Sequence, residues 1–503
     1  MNADASSVDH GDIQGLAAFA YAKLTQARYI LARVKDPVAA RAWCAAALAR
    51  VSTAEFLTTA PDTAMQLAFT AEGLRSLGVA KSVLAGFSSE FLEGMAGSEN
   101  RSRRLGDVAK NDPRDWLWGG NEATPHVAVL LYAKESLDAW IRLVLGDRWT
   151  EAFTHINCLE TSNMGDEEPF GFRDGIAQPE IDWDRRRVVD GDQTQYGNIV
   201  SLGEFILGYA NEYGKYTDRP LVSPQEDPDN DLLTAENAPD SKDLGRNGTY
   251  LVLRQLEQDV RGFWQFLDRV VDGNARERYQ LGAAMVGRTR PGDPLMPDTS
   301  AAIAGVVDKP GQPRNRFIYD SDPRGTRCPL GAHIRRANPR NNDLPGNPHG
   351  PIARLSERLS IPRAKFATDL TSSTRFHRLL RRGREYGEKL DPEAALRPGP
   401  ANEAPRGLQF ACINANIVRQ FEFVQNAWLM SSKFNGLTDQ SDALLGNREP
   451  VGGVAADYFT IPREGRVARK IQRVPQFITV RGGAYFFLPS LRALRWITKG
   501  HRQ

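Results

Sequence analysis

The sequence predicts an α+β protein built from a doubled unit, each copy an antiparallel sheet with helices packed on it. Three observations predict this. Four segments each couple a short apolar run to a helical period. The first and third resemble each other, as do the second and fourth. A polar, Asp- and Pro-rich stretch, residues 219–248, separates the two pairs. Two strand–helix units per copy, with further strands between them, is the ferredoxin-like plan. The chain then divides into residues 1–245 and residues 246–503.

Each unit has its own local logic. In the first, ARYILARV is followed by DPVAARAWCAAALARV, where Asp36 caps a helix that Pro37 opens. In the second, HVAVLLYA leads into KESLDAWIRLVLG. In the third, GTYLVLRQ precedes a helix whose Val260, Phe263, Trp264, Leu267, Val270 and Val271 share one face. In the fourth, LQFACINA precedes a stripe of Ile417, Phe421, Val424 and Trp428. The 219–248 stretch reads as an excursion or linker rather than a catalytic loop. Residues 287–365 are dense in Gly, Pro, Asn and Arg with little periodicity, and long irregular segments of this kind are often functional.

Composition narrows the function classes. Hydrophobic residues make up 41% and charged residues 25%, which is ordinary for a globular enzyme. Lys plus Arg (64) nearly balances Asp plus Glu (62), so charge gives no case for nucleic acid or an anionic membrane. No stretch approaches the roughly 20 apolar residues of a membrane helix. The opening MNADASSVDHGDIQG has no basic n-region, so a cytoplasmic protein is expected. The four cysteines form no CxxC or zinc spacing, which suits a reducing compartment. No phosphate loop, zinc helix or nucleophile elbow occurs.

Three stretches carry the remaining chemistry. RCPLGAHIRRANPR places His333 among arginines, where it could be a packed residue, a phosphate contact or a metal ligand. Of the seven histidines, His10 and His501 lie near the ends, His126 opens an apolar strand, and His155 and His349 lack a partner at metal spacing. A cofactor that asks for a single protein ligand stays open, and haem is one. Cys328 competes for that role, though packing is the simpler reading. EEPFGFRDGIAQPE offers Asp174, either capping a tight turn or acting as an acid–base group. TRFHRLLRRGREYG offers Arg381 and Arg382, either a solvated face or one guanidinium turned inward to hold an anion.

Taken together these segments resemble the dye-decolourising peroxidases, in particular the longer members of that family. The resemblance rests on GFRDG (171–175), CPLGAHIRRANPR (328–340), HRLLRRGREYG (377–387), GLQFACINANIVRQFEFVQNAW (407–428), SDALLGN (441–447) and MVGRTRPGDPL (285–295). It implies two ferredoxin-like domains with haem b between them, one per chain, and most of the pocket in the C-terminal half. His333 matches the proximal iron ligand. Asp442 matches the carboxylate behind it, with Asp439 as the fallback. Asp174 and Arg381 match the distal pair, with Arg382 as a substitute. Leu408 and Phe410 match apolar residues over the distal haem face, and Arg335 is a candidate haem-propionate contact, although contact with some other carboxylate is the favoured reading. The implied activity is reduction of hydrogen peroxide, with one-electron oxidation of dyes, phenolics or other bulky reductants through a ferryl and porphyrin-radical state. The alternative is a haem-storage or iron-releasing protein. No nucleic-acid or membrane partner is expected, and a homo-oligomer is left open.

Overall fold

The computed structural model describes residues 7–120, 123–186, 198–296, 315, 317–319, 321–340, 373–450 and 452–500. His349, His501 and much of the irregular 287–365 segment lie outside these residues.

The centre of the molecule is a nine-stranded sheet. Its strands are β1 (Gln26–Val34), β2 (Thr63–Phe69), β3 (Val127–Ala133), β4 (Phe153–Glu160), β5 (Thr249–Gln258), β6 (Leu380–Arg381), β7 (Arg384–Tyr386), β8 (Gly407–Asn414) and β9 (Ile478–Leu488). Across the sheet they run β6-β8-β5-β9-β2-β3-β1-β4, with β7 also paired to β8, and every pairing is antiparallel. With β6 and β7, which both pair with β8, counted as one position, the order within each half is second, third, first, fourth strand, so one arrangement occurs twice, head to tail. In the sheet the halves meet where Phe69 of β2 pairs with Phe487 of β9. This is the doubled α+β plan expected from the sequence.

Burial explains the apolar runs. On β3, Val127, Val129 and Leu131 join one core while Ala128, Leu130 and Tyr132 join the other. A sheet covered on both faces needs continuous rather than alternating apolar strands. The main helices are α1 (Pro37–Ala47), α2 (Leu137–Leu145), α3 (Val260–Val270), α4 (Ala275–Val286), α5 (His333–Ala337) and α6 (Leu491–Lys499). Asp36 caps α1 by accepting the Ala39 N–H at 2.7 Å. On α3, Val260, Phe263, Trp264 and Leu267 are buried as the spacing predicts.

Two expectations change in detail. The 219–248 stretch is an ordered excursion: three short strands, Leu221–Val222, Thr234–Ala235 and Ala238–Asp243, form their own sheet, anchored by a buried Arg219–Asp243 ion pair at 2.6 Å. The fourth unit's helix is wound as π turns over Val418–Glu422 and Val424–Met430. Its apolar stripe is buried as predicted, but the Glu422 N–H reaches the Ile417 carbonyl at 2.9 Å, one residue beyond an α turn. Apolar spacing does not distinguish these two closures.

Candidate active site

One cavity lies on the helix side of the C-terminal half-sheet. Alternation along the strands places Arg254, Leu256 and Gln258 of β5 and Leu408 and Phe410 of β8 on its wall. Helices α4 and α5 and the π-helical segment cover it. The 168–179 loop from the N-terminal half closes one side.

His333 opens α5 and borders the cavity. Its Nδ1 lies 3.1 Å from Asp442 Oδ2 and 3.2 Å from Oδ1. Asp442 is fully buried, and its Oδ1 also accepts the Leu444 and Leu445 N–H groups at 2.9 and 2.8 Å. Burial alone would raise this carboxyl. The charge and hydrogen bond of His333, then Arg336, outweigh it and hold Asp442 at about 2. Burial likewise opposes charge on His333, but Asp442 overrides it and raises the imidazole. Nε2 is the ring nitrogen that Asp442 leaves unengaged. Asp442, and not Asp439, is the carboxylate that meets His333.

The neighbouring arginines hold this geometry. Arg335 is fully buried and donates to Asp322 Oδ2 at 3.0 Å, the Cys328 carbonyl at 2.7 Å and the Asp322 carbonyl at 2.8 Å. The carboxylate that Arg335 meets is therefore Asp322, the protein-carboxylate alternative, and not a cofactor's. Its guanidinium is spent on Asp322, behind the cavity wall. Arg336 donates to the carbonyls of Trp428, Gln440 and Ser431, tying α5 to the π-helical segment.

On the opposite wall, Gly171 (φ 84°) and Gly175 (φ 74°) bracket the turn that presents Asp174, a backbone path that favours glycine. Phe172 stacks on Trp264 with ring centres 6.0 Å apart and planes within 3°, which fixes the turn to α3. Arg381 Nη1 donates to both Asp174 oxygens, at 2.7 and 2.8 Å. The Arg381 N–H is also bonded to Gln178 Oε1 at 3.0 Å. Burial pushes the Asp174 carboxyl up, but Arg381 outweighs it and holds the group below the usual range. Arg382 points through the other face of the sheet to the Leu16 and Ala17 carbonyls, which removes it as a substitute.

Sequence reasoning missed several lining residues. Glu168 accepts from Gln258 Nε2 at 2.9 Å, and burial raises its carboxyl to about 7. Arg288, Arg340 and Arg378 add cations to the lining. Arg340 lies over the Phe317 ring at 3.8 Å and donates to the Phe317 carbonyl. Glu168 and Arg340 lie within quoted motifs, but no spacing rule marks them as facing a cavity.

Similarity to known proteins follows the same line. No family model matches the chain. A multifunctional dye peroxidase, DyP2, from Amycolatopsis sp. is 35% identical over 256 residues, covering 49% of this chain and about half (48%) of that protein. Over 97% of this chain and 87% of its own length, the dye-decolorizing peroxidase AauDyP1 of Auricularia auricula-judae is 27% identical. Dye-decolorizing peroxidase msp1 of Mycetinis scorodonius is 28% identical over 87% of this chain and 77% of its own.

Over most of its length the chain is similar to dye-decolorizing peroxidases.

Solved structures agree on the fold. AauDyP complexed with imidazole superposes with a TM-score of 0.70 at 24% identity, covering 98% of this chain and all of that one. The DyP-type peroxidase of Anabaena sp. gives 0.66 at 20%, over 97% and 99%.

Similarity to dye-decolorizing peroxidases implies haem, and the residues present fit it. The cavity wall is mainly apolar, with Phe170, Phe172, Val286, Phe410, Phe421, Leu429 and Ile478 available to cover a flat macrocycle. One histidine nitrogen remains for iron. Among the described residues no group of three or more His, Cys, Asp or Glu could hold a bare metal ion. A porphyrin supplies four ligands itself and asks the protein for one.

Proposed function

We propose that this chain is a peroxidase that binds one haem b in the cavity, reduces hydrogen peroxide there, and oxidises aromatic reductants in one-electron steps. The observation that carries the reading is that one cavity is bordered both by His333, backed by the buried Asp442, and by the Asp174–Arg381 pair.

In this reading His333 would hold the haem iron, Nε2 being the ring nitrogen that Asp442 leaves unengaged. Asp442 accepts the Nδ1–H and makes the imidazole a stronger donor. When bound, the haem supplies the redox chemistry that protein side chains lack. Asp174, ionised beside Arg381, takes a proton from peroxide at a carboxylate oxygen and returns it to the departing oxygen. Arg381 holds Asp174 in place and stabilises negative charge that develops during O–O cleavage. Leu408 and Phe410 limit the space beside the pair to small molecules. Arg340, bordering the cavity as a cation, is a better candidate for a haem carboxylate than Arg335. A storage or iron-releasing protein would need His333 but not the Asp174–Arg381 pair, so that reading gains nothing from the geometry.

All four cysteines are free thiols, which supports a reducing, cytoplasmic location. Among the described residues no helix is long and apolar enough to cross a membrane.

An absorption spectrum before and after one equivalent of hydrogen peroxide tests the reading. The expected result is a Soret band that changes on peroxide addition and recovers when a phenolic reductant follows. A haem-loaded protein whose spectrum ignores peroxide would overturn it.

A further inference from the structure

Strands Phe459–Arg463 and Arg466–Ile471 form a two-stranded hairpin outside the central sheet. Its root is fixed. Phe459 and Ile471 are buried, and the Thr460 N–H donates to Gln440 Oε1 at 2.9 Å. Its far end stands clear of the body: residues 463–468 are all exposed, and Val467 is 89% exposed.

Charge is concentrated on this arm. Residues 463–473 hold five cations, Arg463, Arg466, Arg469, Lys470 and Arg473, against one acid, Glu464. The whole chain has a net charge of +2, so the remainder is net negative. Among the described residues none of the five meets a carboxylate. A run of surface cations is usually no more than a solvated face, but two of these are held in position. Arg469 Nη2 donates to the Val270 carbonyl at the end of α3, at 2.9 Å. Lys470 Nζ lies 3.6 Å from the centre of the Tyr458 ring.

The backbone narrows what such an arm can bind. Among the described residues, strand Arg466–Ile471 pairs on one side only, with Phe459–Arg463. Its other edge offers N–H and C=O groups to a further strand. Alternation puts Val467 and Arg469 on one face and Arg466 and Lys470 on the other. Like charge opposes addition of a second copy of the same edge and favours a segment of opposite sign. Nucleic acid and lipid can answer the charge, but a peptide alone can also continue the ladder.

We infer that the hairpin is a docking strand for an acidic, extended segment of a partner protein, which adds to the Arg466–Ile471 edge as a third strand. The partner's backbone extends the ladder, its Asp or Glu side chains meet Arg466, Arg469 and Lys470, and an apolar side chain covers Val467. The inference is independent of the peroxidase reading, because none of these residues borders the main cavity. Exposed ion pairs are individually weak and screened by salt, so the complex should be salt-sensitive.

Fluorescence anisotropy of holoenzyme with a labelled peptide of alternating Glu and Val tests the docking. Saturable binding at low salt should weaken about tenfold or more at high salt. It should weaken as much in the double variant Arg466→Glu, Lys470→Glu, with the absorption spectrum and thermal melt unchanged. A peptide of alternating Glu and Pro carries the same charge but cannot continue a ladder, and it should bind about tenfold more weakly or worse to the unaltered protein. Absent binding of the Glu–Val peptide, or equal binding of the Glu–Pro peptide, overturns strand addition. Undiminished binding in the double variant overturns the hairpin as the site. Tighter binding of duplex DNA or of phosphatidylglycerol vesicles overturns the peptide as occupant. So does a dimer, seen by sedimentation without peptide, that the double variant abolishes, because the edge then belongs to a second copy of this chain.

Discussion

Arg381 and Asp174, 207 positions apart in sequence, meet through one guanidinium nitrogen that donates to both carboxylate oxygens. The ion pair joins β6 to the turn at Asp174 and places a fixed cation beside an ionised base. Replacing Arg381 with Leu should leave the haem spectrum intact and lower peroxide turnover by roughly 10²–10³-fold, the usual cost of losing one donor to developing negative charge. Stopped-flow absorbance with stoichiometric peroxide checks this.

Asp174→Asn should lower the peroxide reaction by about 10²–10⁴-fold, the range for a lost general base. The carboxyl sits below its ordinary value because Arg381 outweighs burial. A depressed acid stays ionised as pH falls and is lost only when pH passes through its folded value. Dye oxidation should therefore persist on the acid side of neutral and be lost only at pH values below the ordinary carboxylate range. A pH–rate profile that peaks above pH 8 would exclude Asp174 as the proton carrier.

Glu168 carries the opposite sign. Burial raises its carboxyl to about 7, so the native protein holds a proton that the unfolded chain releases nearer the usual range. Stability contributed by this group therefore falls as pH rises from about 4.5 to 7. Glu168→Gln should match wild type at pH 4 and exceed it at pH 8, by on the order of 1–3 kcal/mol. Thermal melts at the two pH values decide it.

His333→Ala should abolish haem binding, and Cys328→Ser should largely keep it. Cys328 is fully buried, and burial pushes its thiol up to about 12, so no thiolate forms near neutral pH. Asp442→Asn should weaken haem affinity by about 10–100-fold while retaining His333. Haem titrations followed at the Soret band separate the three variants.

Arg335→Leu tests the pairing with Asp322. Removing one member of a buried ion pair strands Asp322, at a cost of roughly 3–5 kcal/mol. The melting temperature should drop in haem-free and haem-loaded protein alike. A loss confined to haem affinity would restore the cofactor contact.

Much of the molecule was legible in the chain. Apolar runs at strand and helix spacing record burial directly, so the four strand–helix units and the doubled plan could be read from residue order. Motifs with glycine at positive-φ positions, such as GFRDG, announce their turns. His333, Asp174, Arg381 and Asp442 came from resemblance, and spacing alone left each with a bland alternative. What only the tertiary structure decided is which way each polar side chain faces. Arg335 and Arg381 are both arginines beside motif residues, yet one pairs with Asp322 behind the wall and the other meets Asp174 at the cavity's edge. Arg381 and Arg382 are adjacent but project through opposite faces of the sheet. The ionisation of Glu168 depends on burial and on partners brought from distant strands. Local sequence encodes how a segment folds, whereas charge and hydrogen-bond pairing are settled by what the fold places within about 3 Å.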